Sequence, residues 1–425
     1  MRPGSQASMR KRATPEGGAD PFGVLPDELL QHLLSYLPPK DAVRTSVLAH
    51  RWRNQWKYVP AIRITADHAQ NFGCASTLNK FTNCLLLFRN GSPLDEFEIN
   101  AFEGDADFNE SVQYLEPWIR YCLSLNVRKL SASSNDEGLH WLLPEGLITS
   151  KHLTMLELAR VDVEHDLDFS SCMALEILKI KHSNISSSKI ISTSLKRLTI
   201  VVCGFEDDAR CQISVPNLIS FLFVDCTGRT PLLESMPLLV STFVRLQHCA
   251  DYCRNSYETG DCGDASCAGC LDCNYGKGTS LLLEGLSGST KLELMALPEV
   301  FIFRKDLTRC PVFNKLKTLL LNEWCMTPSA LICFLQHSPV LEKLTLQFSE
   351  VNVSLVESGA SYGLHAIVKQ PLGFKDLTVE VKCHEVNEGI CKILEVLCSY
   401  GLPPEKIKIQ QPPVATREQF HDTWD

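Results

Sequence analysis

The 425-residue chain has no long apolar run: stretches such as Leu281-Leu282-Leu283 and Leu319-Leu320-Leu321 fall far short of the roughly 18 residues that span a bilayer. Its N-terminus lacks the apolar core of a secretory signal, so a place in the nucleus and/or cytoplasm is expected and no membrane partner. Basic residues are in deficit, 41 Lys and Arg against 50 Asp and Glu, a formal net charge of -9. Nucleic-acid binding is thereby disfavoured, because neutralising phosphates takes Lys and Arg that dominate their surroundings. Catalytic signatures are also scarce. There is no H-E-x-x-H, and Gly276-Lys277-Gly278-Thr279-Ser280 resembles only the tail of a phosphate loop, since Leu271 stands where its first Gly belongs. The histidines are dispersed, so no nucleophile-base pair stands out.

What is present begins near the N-terminus. Met1 to Asp20 has Pro3, Gly4, Pro15, Gly17 and Gly18 and no apolar period, so residues 1–20 read as a disordered leader. Pro26 suits the first turn of a helix, and Asp27 and Glu28 complement its dipole. Leu29, Leu30, Leu33, Leu34 and Leu37 then form one broad apolar face, and Pro38-Pro39 ends the helix. Asp41 can cap a second helix with Ala42, Val43, Ser46 and Val47 along one stripe. Leu48, Trp52 and Trp56 follow at steps of four, predicting a third. Three helices in about forty residues cannot bury so many Leu and Trp side chains among themselves. The surplus must cover a partner or the next domain, with Trp56 and Tyr58 expected to meet a first strand near Ile62 and Ile64.

The order Leu-Pro-x-Glu-Leu-Leu, Ser-x-Leu-Pro-x-Lys-x-Ala-Val, Ser-Val-Leu and Arg-Trp-Arg-x-x-Trp across Leu25 to Trp56 resembles the F-box motif in its plant form. The resemblance implies a Skp-type adaptor as partner and, through it, the cullin of a ubiquitin ligase. By position it assigns the adaptor-facing surface to Leu25, Pro26, Leu29, Leu37, Pro38, Val43, Leu48 and Trp52. His32 and Gln55 depart from the pattern, standing where it has aliphatic residues.

Behind this segment the spacing Leu-x-x-Leu-x-Leu recurs. It appears at Leu153/Leu156/Leu158, Leu175/Leu178/Ile180, Leu195/Leu198/Ile200 and Leu218/Phe221/Phe223, and again at Leu316/Leu319/Leu321 and Leu341/Leu344/Leu346. Degraded copies include Leu94/Phe97/Ile99, Val127/Leu130/Ala132, Leu239/Thr242/Val244 and Ser289/Leu292/Leu294. The steps from 153 to 175, 195, 218 and 239 are 22, 20, 23 and 21 residues, the leucine-rich-repeat period. The expected fold is α/β: a three-helix F-box at 21–60, then an irregular leucine-rich-repeat solenoid with a parallel β-sheet over 61–410, and a tail at 411–425. Residues 374–410 are expected to cap the array and resemble the C-terminal part common in plant F-box/leucine-rich-repeat proteins of the FBD-like kind.

Two features carry further expectations. Strand residues pointing away from the core would form a concave face, and Ile177, Lys179, Arg197, Val201, Leu222, Leu320 and Lys343 are its candidate substrate contacts. Between 249 and 280 lies an acidic, Cys-rich insertion, in which Cys262, Cys267, Cys270 and Cys273 include two C-x-x-C pairs suited to zinc. The spacing of Cys249 and Cys253 does not complete a zinc knuckle, so a thiol-rich loop without cofactor is the other reading. The 19 cysteines are odd in number and scattered, which suits reduced thiols better than a disulfide framework. The F-box resemblance, with the repeats behind it, implies a non-catalytic adaptor of a Skp-cullin-F-box ubiquitin ligase that holds an unidentified protein substrate. The alternatives are a repeat scaffold without a ligase role, or a metal- or redox-responsive sensor.

Overall fold

The computed structural model describes residues 22, 24–65, 72, 75–101, 114–134, 140–206, 210–248, 282–296, 310–322, 328–348 and 376–410. Helices α1 (Asp27–Leu34) and α2 (Pro39–Arg44) each follow a proline, which gives up an N–H that a first turn leaves unpaired anyway. The third segment differs from expectation. Thr45–Val47 and His50–Tyr58 are 3-10 helical, and at three residues per turn side chains four apart no longer share a face. Leu48 is therefore 69% exposed, whereas Trp52 and Trp56 lie half-buried against the core. Tyr58 is exposed and does not join Trp56 there.

From Ala61 the chain builds one long parallel sheet, with strands in chain order: β1 (Ala61–Ile64), β2 (Glu96–Ala101), β3 (Lys129–Ser134), β4 (Met155–Ala159), β5 (Ile177–Lys181), β6 (Arg197–Val201), β7 (Ser220–Gly228), β8 (Ser241–His248), β9 (Lys291–Ala296), β10 (Thr318–Asn322), β11 (Lys343–Gln347), β12 (Thr378–Lys382) and β13 (Ile407–Gln410). The register explains the sequence pattern. Leu156, Leu178, Leu198 and Phe221 stand side by side, as do Leu158, Ile180, Ile200 and Phe223, all buried in the core. The residues between them face outward, as the two-residue period of a strand requires.

Two of the degraded repeats compensate each other. Thr242 and Ser289 occupy positions where stronger copies have Leu, and their hydroxyls meet at 2.8 Å inside the core. Each satisfies the other, which removes the cost of a lone buried hydroxyl.

The turn out of the sheet repeats as well. Arg160, His182, Val202 and Asp225 take φ of 52°, 49°, 53° and 53°, one left-handed residue at each corner. The N–H of Arg160 bonds to the Lys181 carbonyl at 3.0 Å, that of His182 to Val201 at 2.9 Å, and that of Val202 to Val224 at 2.8 Å. Behind the corners Ser183, Cys203 and Cys226 are buried, and their side chains donate to the carbonyls of Lys181, Val201 and Val224 respectively. Part of the cysteine content is thus a ladder of small donors. The middle repeats return through short parallel strands at Leu167–Asp168, Lys189–Ile191, Gln212–Ser214 and Leu232–Leu233.

Helices serve nearer the two ends: α3 (Ala75–Phe88), α4 (Leu115–Ser124), α5 (Leu283–Leu286), α6 (Pro328–His337) and α7 (Glu388–Ser399). Helical spacing puts Leu115, Ile119 and Cys122 of α4 on one buried face, and likewise Ile390, Ile393 and Leu397 of α7, while Leu394 is half-buried.

Gly228 ends β7 with φ +78°, and a Cβ there would overlap the Phe205 carbonyl oxygen of the preceding repeat. Gly228→Ala is expected to destabilise the chain by about 1–3 kcal/mol, read as a lower denaturant midpoint. An unchanged midpoint would mean that adjacent repeats can separate here without cost.

Candidate docking surfaces

The helices at the start of the chain divide their apolar side chains between two directions. Leu30 and Leu34, four apart on α1, are 0% and 2% exposed, and Ala42 is buried on α2. On the other side of α1, Leu29 and Leu33 are 51% and 46% exposed, and Leu37 continues the row just past the helix. Val47 and Leu48 extend the exposed apolar set beyond α2.

Of the positions assigned by resemblance, Pro26, Leu29, Leu37 and Leu48 are exposed, and Leu25 and Pro38 are half-exposed. Val43 and Trp52 are instead half-buried against the core. The Trp52 ring also meets the edge of Phe22 at 5.7 Å. Leu33 and Val47 were not among the assigned positions, although Leu33 follows Leu29 by four residues on α1.

Polar groups hold this unit together. Arg51 donates from Nε to Asp27 Oδ1 at 2.9 Å, from Nη1 to the Phe22 carbonyl at 3.3 Å and from Nη2 to the Leu25 carbonyl, so it pins the entry to α1. Gln55 is buried and accepts from Gln31 at 2.9 Å, an inward link between α1 and the 3-10 segment. His32 lies outside, with its Nε2 3.1 Å from the Tyr36 hydroxyl.

The hydrogen bond from Arg51, followed by one from Gln55, holds the Asp27 carboxyl below its usual range. Lys196 does the same for Glu176, and Lys343 for Glu380. A depressed carboxylate pKa stabilises the fold above the unfolded-state value, and that contribution disappears as pH falls through the folded one. The melting temperature is expected to fall once pH drops below about 4, and Asp27→Asn to make the fall shallower in a calorimetric pH series. A pH profile identical to wild type would remove Asp27 from the list of stabilising groups.

At the junction Arg89 is 1% exposed, and its guanidinium donates to the carbonyls of Val59 at 3.0 Å and Pro93 at 2.7 Å. Burial lowers its pKa to about 10, which leaves it charged at neutral pH. It ties the end of the 3-10 segment to the turn between α3 and β2.

On the concave face, the candidate contacts lie in three different rows. Ile177 aligns with Met155 and Arg197, Val201 with Lys181 and Val224, and Leu222 with Thr199 and Phe243. Leu320 shares the row of Leu222 but sits beyond Glu293, and Lys343 aligns with Thr318. Lys179 reaches Glu157 at 3.6 Å, and Lys343 reaches Glu380 at 2.7 Å. The contiguous apolar part is Val201, Leu222 and Phe243, half-buried on three neighbouring strands beside the buried Val224 and bordered by the Arg245–Asp225 ion pair. Phe243, between Thr242 and Val244 of a degraded copy, is not among the candidate contacts, which all come from the stronger copies.

Among the described cysteines no disulfide is formed. Burial pushes the thiols of Cys122 and Cys211 up, the latter to about 12. Cys333 goes the other way, to about 7, chiefly through a hydrogen bond from the Cys310 side chain, with His337 adding to the effect and burial opposing it. Cys262, Cys267, Cys270 and Cys273 lie outside the described residues, as does a G-x-S-x-G string at Gly359-Ala360-Ser361-Tyr362-Gly363.

Comparison with known proteins matches residues 23–62 to the F-box domain. The chain is 27% identical over 53% of its length to F-box/LRR-repeat protein 13 of Arabidopsis thaliana, covering 42% of that protein. It is 34% identical over 39% of its length to an F-box/FBD/LRR-repeat protein of the same plant, covering 34% of it. Residues 23–62 are thus an F-box, and the parallel sheet behind it has the leucine-rich-repeat period. A further relative, an FBD-associated F-box protein of Arabidopsis thaliana, is 26% identical over 77% of this chain and 75% of its own length. Against the first relatives, which it covers to 38%, 39% and 42%, the chain spans about two fifths of their length. Its F-box match covers α1, α2 and the 3-10 segment, the unit whose apolar side chains divide between core and solvent.

Proposed function

We infer that the chain is the substrate-recognition adaptor of a Skp-cullin-F-box ubiquitin ligase. Its exposed F-box side chains dock on a Skp-type adaptor and, through it, on a cullin, while the solenoid holds a protein target. The observation that carries this reading is the two-sided α1: Leu30 and Leu34 are buried, Leu34 within the main core, and Leu29, Leu33 and Leu37 are left to a partner. No catalytic residue is assigned. The gain would be one of effective concentration, a substrate lysine held within reach of the ligase.

The apolar window at Val201, Leu222 and Phe243 is the part of the outward sheet face best suited to the target, because it interrupts a surface otherwise laced with ion pairs. A chain with a disabled F-box, Leu29→Asp with Leu48→Asp, is expected to trap unconsumed target proteins in proximity labelling. Adding Leu222→Lys and Phe243→Asp should remove most of that set without changing the melting temperature. Capture of the same proteins by both baits would place the target site elsewhere.

A further inference from the structure

Helix α6 buries Leu331, Phe334 and Leu335, and this core face fixes which way its neighbouring positions point. Cys333 and His337, four apart, share a half-buried flank of the same helix. The chain entering β10 passes beside that flank. Phe313 donates its N–H to the His337 carbonyl at 2.7 Å, and its ring packs against Phe334 with centroids 5.9 Å apart, both rings fully buried. Cys310, three residues before Phe313, is thereby held over the helix end.

The consequence is a compact donor set. One ligand atom each from Cys310, Cys333 and His337 lies within 4.8 Å of the other two. Cys333 Sγ is 3.8 Å from His337 Nδ1, close to the ~3.6 Å separation that tetrahedral zinc imposes on ligands at its usual bond lengths. Two thiolates and an imidazole are the donors that select a thiophilic cation over magnesium or calcium. Their three positions come from two chain segments already locked together by the core, so little ordering remains to oppose binding.

We propose that Cys310, Cys333 and His337 form a zinc site with its fourth position open, pinning the entry to β10 against the end of α6. Zinc binding releases two thiol protons to solvent. At His337, Nδ1 now donates to the Cys333 carbonyl at 2.8 Å. Coordination exchanges that hydrogen bond for a metal bond, and the ring proton moves to Nε2. The site is separate in sequence from the cysteines at 262–273, and it rests on neither the F-box assignment nor the adaptor role.

The test uses the full chain with Cys262, Cys267, Cys270 and Cys273 replaced by Ser, so that only other thiols can respond, titrated with cobalt(II) under reducing conditions. One equivalent is expected to give the visible bands of tetrahedral cobalt with thiolate charge transfer, and zinc should displace it. Cys333→Ser in this background should weaken cobalt binding at least tenfold and abolish the rise in melting temperature on adding zinc, while its melting temperature in chelator equals that of the parent. Should Cys333→Ser fail to fold, His337→Gln must show the same weakening. Absence of tetrahedral bands, retention of full affinity in the folded variants, or a metal-free Cys310–Cys333 disulfide in mass spectra of protein purified without chelator would overturn the proposal.

Discussion

Replacing Leu29 and Leu48 by Asp is expected to abolish capture of a Skp-type adaptor while leaving the chain folded. Both side chains are more than half exposed, so neither substitution opens a cavity in the solenoid. Each Leu would bring about 1.5–3 kcal/mol of apolar burial to an interface, and an Asp in its place adds a carboxylate to be desolvated. Two such losses amount to at least ~3 kcal/mol, a weakening of about 100-fold or more. Calorimetric titration of the adaptor measures it, and a circular-dichroism melt supplies the control. Leu30→Ala should show the opposite pattern, losing about 2–5 kcal/mol of stability because it empties a fully buried site. Trp52→Ala would mix the two effects, since this ring is half-buried against the core and packs on Phe22. If the double Asp variant binds as tightly as wild type, the exposed leucines do not form the docking face.

Arg89→Ala carries the largest expected loss of stability. The guanidinium is buried, and its hydrogen bonds to the carbonyls of Val59 and Pro93 join the F-box to the first repeats. Truncation leaves those acceptors without their donor inside the protein and opens a cavity between α3 and the junction. Each buried carbonyl left without its partner costs about 1–3 kcal/mol, so the two together cost about 2–6 kcal/mol. Arg89→Lys should recover only part, because one ammonium cannot reproduce the planar fork that reaches separate carbonyls. Denaturant unfolding followed by tryptophan fluorescence reads both changes, with Trp52, Trp56 and Trp118 reporting from around the junction. A shift below 1 kcal/mol for Arg89→Ala would mean that the junction relaxes and that Arg89 is not its clamp.

The strength of the sequence signal tracked how directly each residue's type is tied to its place. Leu156, Leu158 and their counterparts were legible because a two-residue period and a spacing near 21 residues leave one solution, strands stacked in parallel with those side chains inward. Phe243 was less legible: its degraded copy is visible in the sequence at Leu239, Thr242 and Val244, but its place beside Leu222, and the pairing of Thr242 with Ser289 47 residues later, come only with the folded register. The 3-10 geometry of His50–Tyr58 was hidden because a four-residue spacing of Leu48, Trp52 and Trp56 is also what an α-helix would show. Arg89 gave no signal at all. A lone Arg at the end of an apolar stretch reads as a solvated head group, and its burial depends on carbonyls supplied by Val59 and Pro93. The corner residues were equally silent, since Arg160, His182, Val202 and Asp225 share a backbone conformation and no side-chain chemistry.

Reconstitution tests the adaptor role most directly. The full chain, co-expressed with a plant Skp-type adaptor and passed over a sizing column coupled to light scattering, should elute as a one-to-one complex that then recruits the cullin. A folded chain that elutes alone in the presence of excess adaptor would contradict it.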